Sequence, residues 1–438
     1  MAKPAQLPDE LELLLADING VPRGKTLRGA SFSDDQLPRL AEAIFFQTIT
    51  GGYAPAMETY NPKDRDLLLR PDWSTFGVAP WKAGPGGQVI CETLDHGAAP
   101  VAYDPRNVLR RVLDAYAAAK LRPVVAPEVE FYLLDPVSKH DLTLSPAAGL
   151  DGAAEFGGES FSPDALEKFA PLIAEIQEMC RNSGLALSAV VHEMGPAQIE
   201  LNVAHGDPLS RADQLFLLKR LIKGSARNHG MLASFMAKPL LDLPGNGLHL
   251  HCSVLGADGN NLFTLSRRRA PGPLRHFIGG LQRYLPKAFA LVAPNVNSYK
   301  RFVRDLAAPI NLDWGYDNRT TGFRVPFSDA ESGRVENRIA GADANPYLIV
   351  AATLACGLLG MEESVEPSKP VDGDAYHREP ALPKDLSEAL RVLEQSEKLV
   401  DLLGRAFVDV FVSVKRAELA HFSSAITPWE VGYLGSTL

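Results

Sequence analysis

The sequence predicts an α+β protein of two units, on three observations. Its 438 residues exceed what one ordinary core accommodates. Helical and strand-like segments are mixed along the chain. Between the short strand-like pieces at the start and the longer helices that follow lies an irregular stretch, Pro71 to Asp104, with WKAGPGG inside it. That stretch reads as a connecting region rather than part of a core.

The elements follow in order. Short strand-like pieces, such as the one around Ile44 to Ile49, make a small α+β N-terminal unit. A clear helix start comes next: Asp104 caps, Pro105 suits the first position, and Val108, Leu109, Val112, Leu113 and Tyr116 form an apolar stripe. A second helix begins at Ser162-Pro163 and stops near Gly184. A third begins at Ser210, where S-R-A-D has the form of a capping box, and runs to about Gly230. Later helices cover roughly 274–291, 346–362 and 385–414. The strand candidates are VVAPEVEFYLL, LALSAVVHE, QIELNVA, GLHLHCSVL, GFRVPFS and GRVENRIA.

Composition narrows the function classes. The chain is 46% hydrophobic and 22% charged, with net charge -9 and no basic run interleaved with aromatics, so a nucleic-acid partner is not expected. The opening MAKPAQLPDELELLLADING lacks a signal peptide's basic start and unbroken apolar core. The longest apolar stretch, Leu348 to Met361, is too short for a bilayer and reads as a buried helix. Cys91, Cys180, Cys252 and Cys356 are far apart, which excludes a CxxC-type zinc or redox pair and fits inert buried thiols in a cytoplasmic protein.

The chemistry lies in the strands, which carry charges at alternate positions. Glu128 and Glu130 stand two apart, so period two puts both carboxylates on one face, roughly 7 Å apart. His249 and His251 do the same, with Leu248, Leu250 and Cys252 facing the other way; Glu336 and Arg338 repeat the pattern. Glu193 ends one strand, Gly195-Pro196 turns the chain, and Glu200 returns on the next. A lone ExE or HxH is most often solvated or an ordinary core pair. Repeated in strand after strand, the charges point to one cleft. Five carboxylates gathered there need cations, and oxygen-rich ligands with an occasional imidazole suit magnesium or manganese better than zinc. A second, cationic set includes Lys300, Arg301, Arg304, Arg319, Arg324, Arg334 and Arg338. Beside a metal cluster it points to a phosphorylated substrate, although Arg304 and Arg267 to Arg269 read as surface charges. Neither GxxxxGK[ST] nor GxGxxG is present.

PEVEFYLL, HEMGPAQIELN, FMAKPLLDLPGNGLHLHCS, NSYKRF, NRTTGFRVP and RVENRIAGADANPYL occur in that order over about residues 120 to 350. Together they resemble the successive motifs of the glutamine synthetase family. DINGVPRGKTL resembles the branch that uses amines, the γ-glutamylpolyamine synthetases and their relatives. The resemblance implies a β-grasp-like N-terminal domain with its connecting segment, residues 1–103. It also implies a glutamine-synthetase-type catalytic domain, residues 104–438, with a curved, mainly antiparallel sheet. It implies a carbon–nitrogen ligase that uses ATP, L-glutamate and a small amine, with two or three Mg2+ or Mn2+ ions per site. Six-membered rings stacked as a dodecamer are expected, with sites between subunits. Glu130, Glu193 and Glu200 resemble ligands of one metal; Glu128, His249 and Glu336 resemble ligands of a second. Arg301, Arg338 and Gly245 resemble the groups that hold glutamate, and Arg319 the arginine at the transferring phosphoryl group. His251, Ser253, Arg324 and Arg334 fall where the family binds ATP.

The chain departs from the ammonia-using members at two points. Their flap glutamate corresponds to Ala307 in SYKRFVRDLAAP, and their latch aspartate to Phe46 in AIFFQTITGGY. With both acids absent and Phe45, Phe46 and Tyr53 nearby, the expected acceptor is an organic amine, an apolar monoamine rather than a polyamine. Glu58 and Asp305 are the acidic groups available to a polyamine, and Asp305 also keeps ammonia open as the alternative. A non-catalytic ring protein on the same fold would have lost metal ligands; all six are present.

Overall fold

The computed structural model describes residues 3–4, 6–79, 86–138, 141–150, 152–153, 155, 157, 159–265, 269–435 and 437. Most of the WKAGPGG run, and Arg267 and Arg268, lie outside the described residues.

Fourteen strands fall into two sheets among those residues. The first holds β1 (Glu10–Ala16), β2 (Pro22–Arg28), β3 (Arg39–Ala41), β4 (Asp66–Pro71), β5 (Gly77–Val78) and β6 (Gly86–Leu94). Its order is β2-β1-β6-β4-β3, with β5 also on β6; β1 and β6 are parallel and the other pairs antiparallel. The second holds β7 (Arg122–Leu134), β8 (Leu187–His192), β9 (Gln198–Val203), β10 (Leu232–Ser234), β11 (Leu248–Leu255), β12 (Trp314–Tyr316), β13 (Phe323–Val325) and β14 (Val335–Asn337). Its order is β12-β13-β14-β11-β7-β9-β8, with β10 on β7. Only the β12–β13 pair is parallel, so the expectation of a mainly antiparallel sheet holds.

The helices are α1 (Ala56–Tyr60), α2 (Pro105–Ala118), α3 (Pro163–Glu167), α4 (Ala170–Asn182), α5 (Pro208–Asn228), α6 (Gly272–Tyr284), α7 (Phe289–Val292), α8 (Pro346–Glu362), α9 (Leu386–Glu394), α10 (Glu397–Leu403), α11 (Arg405–Ser423) and α12 (Pro428–Tyr433). In α2, Asp104 caps by accepting from the Arg106 N–H, and Val108, Leu109, Val112 and Tyr116 are buried. Helix α8 is apolar all round and buried from Pro346 to Gly360, as its unbroken hydrophobic run requires. It backs the second sheet, where Asn337 Nδ2 donates to Thr353 Oγ1 at 3.0 Å.

Several expectations are corrected. Ile44 to Ile49 is no strand: Glu42–Phe46 forms a 3-10 helix. The stretch after Pro71 is not merely connecting, because β6 is the middle of the first sheet and almost wholly buried. A strand buried on both faces shows no alternation, and its leading Gly86-Gly87 reads as a turn. The 162–184 helix is two, since Pro171 opens α4 and cannot continue α3. Helix α5 starts at Pro208, and its cap is Asp207, which accepts from Ser210 N; Ser210 is the third residue, not the cap. The 274–291 helix divides into α6 and α7, and the 385–414 helix into α9, α10 and α11. Gly404, at φ 94, makes the last of those breaks.

All four cysteines are free and buried. Among the described residues no helix is long and apolar enough to cross a membrane.

Candidate active site

Strand register assembles the site. Glu130 on β7 is opposite Glu200 on β9, and Glu128 is opposite both Asn202 and His249 on β11. His251 is opposite Glu336 on β14, which is opposite Arg324 on β13. Period two puts 128/130, 200/202 and 249/251 on one face, so five strands deliver one row of polar groups. The β8–β9 turn adds Glu193, whose N–H donates to Gln198 O at 2.8 Å.

Three groups of ligand atoms result, each within 4.8 Å: Glu130–Glu193–Glu200, Glu128–Glu200–His249 and Glu128–His251–Glu336. The first is the expected triad. The second expected set is divided, Glu128 and His249 grouping with Glu200 and Glu128 and Glu336 with His251, although His249 Nδ1 is 3.6 Å from Glu128 and 3.9 Å from Glu336. His251 Nε2 is 2.9 Å from Glu128 Oε1. Arg334 Nε donates to His251 Nδ1 at 3.3 Å, so Nε2 carries the proton shared with Glu128.

The electrostatics divide the row. Glu200 is pushed up to about 9 by burial and by the charges of Glu128, Glu130 and Glu193. Glu193 is pushed up to about 7 by burial and Glu130, while Arg338 and Arg319 oppose the shift. Glu336 goes the other way. Burial opposes ionisation, but Arg338, His251 and His249 together hold it down at about 2. Glu128 is likewise held well below the usual range, despite burial, by hydrogen bonds from His249 and His251. A carboxylate kept protonated only by its buried neighbours is what a divalent cation corrects, so the residues fit a metal site.

The cationic side is built around Arg301, which is wholly buried, with burial lowering its pKa. Its guanidinium donates to Ile339 O at 2.7 Å and to Arg338 O at 3.3 Å, and Nε has no partner. No carboxylate pairs with it among the described residues, which makes it a ready receptor for an anionic ligand. Gly245 and Gly247 pass so close that a Cβ at 245 would lie 2.3 Å from Ala237 O. A Cβ at 247 would lie 2.7 Å from His249 Nε2 and 2.9 Å from Arg301 Nη2. Arg338 pairs with Glu336 and leaves its own Nε unpartnered. Arg324 donates to Glu336 Oε2 at 2.8 Å and to Asp317 at 3.1 Å. His251, Ser253 and Arg334 border a cavity of about 560 Å³ that Glu128 and Asn202 also line; Arg324 is not on that wall. Arg319 is exposed, and its charge is felt at Glu193.

Residues 102–434 match the model for the glutamine synthetase catalytic domain. The chain belongs to the glutamine synthetase family. Its relatives include the γ-glutamylputrescine synthetase PuuA of Escherichia coli (strain K12), 33% identical over 97% of this chain and 91% of that one. The glutamate–isopropylamine ligase of a Pseudomonas species is 31% identical over 97% and 94%. The glutamine synthetase of Pyrococcus abyssi is 32% identical over 94% and 90%. The solved structures of GmaS, without ligand and as an ADP complex, superpose with TM-scores of 0.82 and 0.83, at 31% and 30% identity, over 97% of this chain. The expected fold and family therefore stand, and so does a carbon–nitrogen ligase.

Neither acceptor candidate belongs to the three groups of ligand atoms. Ala307 is half-buried in a loop where it and Asp305 both take left-handed backbone, φ 65 and 63. Phe46 is fully buried against Tyr103, with ring centroids 5.2 Å apart, so within one chain it lines no pocket; Phe45 is buried beside it. Sequence reasoning missed the supports: Gln198, which donates to Gly245 O and Asn246 Oδ1, and Asn202, which donates to Glu128 at 3.0 Å. Asn202 was findable, because it stands two residues after Glu200. Tyr376, whose place in the sequence resembles that of a residue nucleotidylated in some family members, has its half-buried phenol in the fields of Arg338 and Arg301.

Proposed function

We propose that this family member joins the γ-carboxylate of L-glutamate to an organic amine, at the expense of ATP, through a γ-glutamyl phosphate. The observation that carries the reading is the site's polarity. A buried, carboxylate-free Arg301 stands at one side of the acidic row, and a cavity bordered by His251, Ser253 and Arg334 stands at the other. Glutamate's own carboxylate satisfies Arg301, with Arg338 and the Gly245 backbone beside it. ATP occupies the cavity, with Arg324 behind Glu336.

Glu130, Glu193 and Glu200, and Glu128, His249 and Glu336, would hold two or three Mg2+ or Mn2+ ions, which would supply positive charge to the phosphates. The protein's other contributions are positional. In-line approach of a carboxylate to a phosphoryl group is opposed by like charge, and Arg319 sits in the open to meet the transferring group. The amine nitrogen then attacks the γ-carbonyl carbon, the C–O bond to the phosphate breaks so that inorganic phosphate leaves, and the nitrogen gives up a proton. Water must be excluded while the acyl phosphate lives.

Ala307 in place of a flap acid, and an apolar Phe46, support an organic amine. So do the relatives that are named for putrescine and isopropylamine. The exposed Asp305 two residues from Ala307, and the similarly distant glutamine synthetases, favour ammonia as the second reading. The rest of the reading is a division at 103/104, a cytoplasmic location and a dodecamer. Assembly is supported by the exposed apolar tail of Ile426, Trp429, Val431 and Tyr433.

The test is phosphate release from ATP with glutamate and Mg2+ across ammonia, putrescine, spermidine, ethanolamine and alkyl or aromatic monoamines. Turnover with one amine class far above ammonia is expected. Best turnover with ammonia refutes the amine reading and leaves a glutamine synthetase.

A further inference from the structure

Arg301 is presented by a short element. Val296–Arg301 is a 3-10 helix of six residues, and Arg301 is its last. Two 3-10 turns have poor hydrogen-bond geometry and little stability of their own, so the aim of Arg301 depends on what holds the start of the helix. Asn295 precedes it, and Asn295 N donates to Ser298 Oγ at 2.9 Å. Asp343 Oδ2 accepts from both residues, from Asn295 Nδ2 at 2.7 Å and from Ser298 Oγ at 2.6 Å. Asp343 follows closely on the carbonyls that receive the Arg301 guanidinium, Arg338 O and Ile339 O. Both ends of the short helix are thus fastened to one stretch of chain, 338–343.

The oxygen of the Asn295 amide is held from α11, near the end of the sequence. Lys415 Nζ donates to Asn295 Oδ1 at 3.2 Å, to Glu418 Oε2 at 2.9 Å and to Asn19 Oδ1. An ammonium has three donors, and these three acceptors use them all. Lys415 is 0% exposed. Among the described residues its one ion-pair partner is Glu418, which also accepts from Asn19 Nδ2 at 2.7 Å and from Ile49 N at 2.6 Å. One carboxylate replaces only part of the hydration that a fully buried ammonium gives up, and an apolar side chain would fill the same space without that loss. Packing alone therefore does not account for a lysine here.

Resting on the reading that Arg301 receives glutamate's carboxylate, we infer that Lys415 is a positioning residue for glutamate binding, acting on Arg301 through Asn295 and Asp343. The Asn295 amide has a cation on its oxygen and an anion on its nitrogen, so only one orientation satisfies both. That orientation fixes the start of the short helix against Asp343, and with it the aim of Arg301 at the other end. The effect is confined to one side of the site. Lys415 donates to no residue of the acidic row and to none bordering the cavity of His251, Ser253 and Arg334. Loss of Lys415 should therefore weaken glutamate binding and leave ATP binding alone.

The experiment measures kcat and the KM values for glutamate and for ATP in the full chain, with Mg2+ and the best acceptor of the panel above saturating. Lys415→Met and Asn295→Ala should each raise the glutamate KM about 10-fold, with kcat and the ATP KM within about 3-fold of the wild type. Because both lie on one path, the double variant should stay near 10-fold rather than reach about 100-fold. Lys415→Met leaves Glu418 without its cation, so Lys415→Met with Glu418→Gln, which leaves no lone charge, is measured beside it and keeps the test available if the single variant does not fold. Ser413→Ala is the control for general loosening. It removes another tie between α11 and the N-terminal unit, the acceptor of Ala56 N at 3.0 Å, and should leave the glutamate KM unchanged. An unchanged glutamate KM in the Lys415 and Asn295 variants overturns the inference and leaves the ligase reading intact. So do equal changes in the two KM values, or effects that multiply. An unchanged glutamate KM in Arg301→Ala takes glutamate away from Arg301, and the inference with it.

Discussion

Titrating Mg2+ into the cation-free protein at pH 7.5 should release about one proton per site. The magnitude follows from two carboxyls. Glu200, raised from its ordinary 4.5 to about 9, is almost fully protonated at that pH, and Glu193, at about 7, is protonated about a quarter of the time. A cation held by both displaces those protons, so affinity should climb about a hundredfold per pH unit below about 7, roughly tenfold per unit between about 7 and 9, and then level. The same shifts set the sign for stability. Both folded-state pKa values lie above the unfolded one, so the folded, cation-free protein binds more protons. Its stability is intact below about 4.5 and erodes as pH rises toward 9. Cation binding should cancel that erosion. Calorimetry in buffers of different ionisation enthalpy counts the protons directly and needs no turnover. Release of none at pH 7.5 would refute the protonated Glu200 and, with it, the argument that this row requires a cation.

The remaining predictions concern single side chains. Arg301→Ala should raise the KM for glutamate and lower kcat/KM by about 10²–10³-fold, the loss expected when a buried charged hydrogen bond worth about 3–4 kcal/mol is removed. An unchanged glutamate KM would place the substrate elsewhere. Gly247→Ala should lower stability by about 1–3 kcal/mol and cut activity, because its methyl would sit 2.7 Å from His249 Nε2 and 2.9 Å from Arg301 Nη2. Wild-type denaturation midpoint and rate would show that those atoms move aside freely. Ala307→Glu should raise activity with ammonia relative to amines, read as a ratio of kcat/KM values. If it spares both, position 307 is not at the acceptor.

What the sequence disclosed and what it hid follow one physical division. Glu128/Glu130 and His249/His251 could be placed on shared faces because side-chain alternation is local. Register is not local. Nothing in the sequence says that Glu130 meets Glu200, or that His251 rather than His249 sits opposite Glu336; those pairings are settled by long-range hydrogen bonds. The same division explains β6, whose two buried faces erase the alternation that marks a half-exposed strand. It also explains Phe46. Its neighbours in sequence are a Phe and a Gln, but its environment is set by Tyr103, far along the chain. Lys415 is the strongest case, since it belongs to no recognisable motif. It matters only because a helix near the end of the chain is hydrogen-bonded to the residue that precedes the Arg301 helix. Residues that hold a charged site together are recruited by proximity after folding, so their chemistry is constrained while their sequence positions are not. In this chain the groups that meet the ligand were therefore the easier ones to read, and the groups that place them the harder.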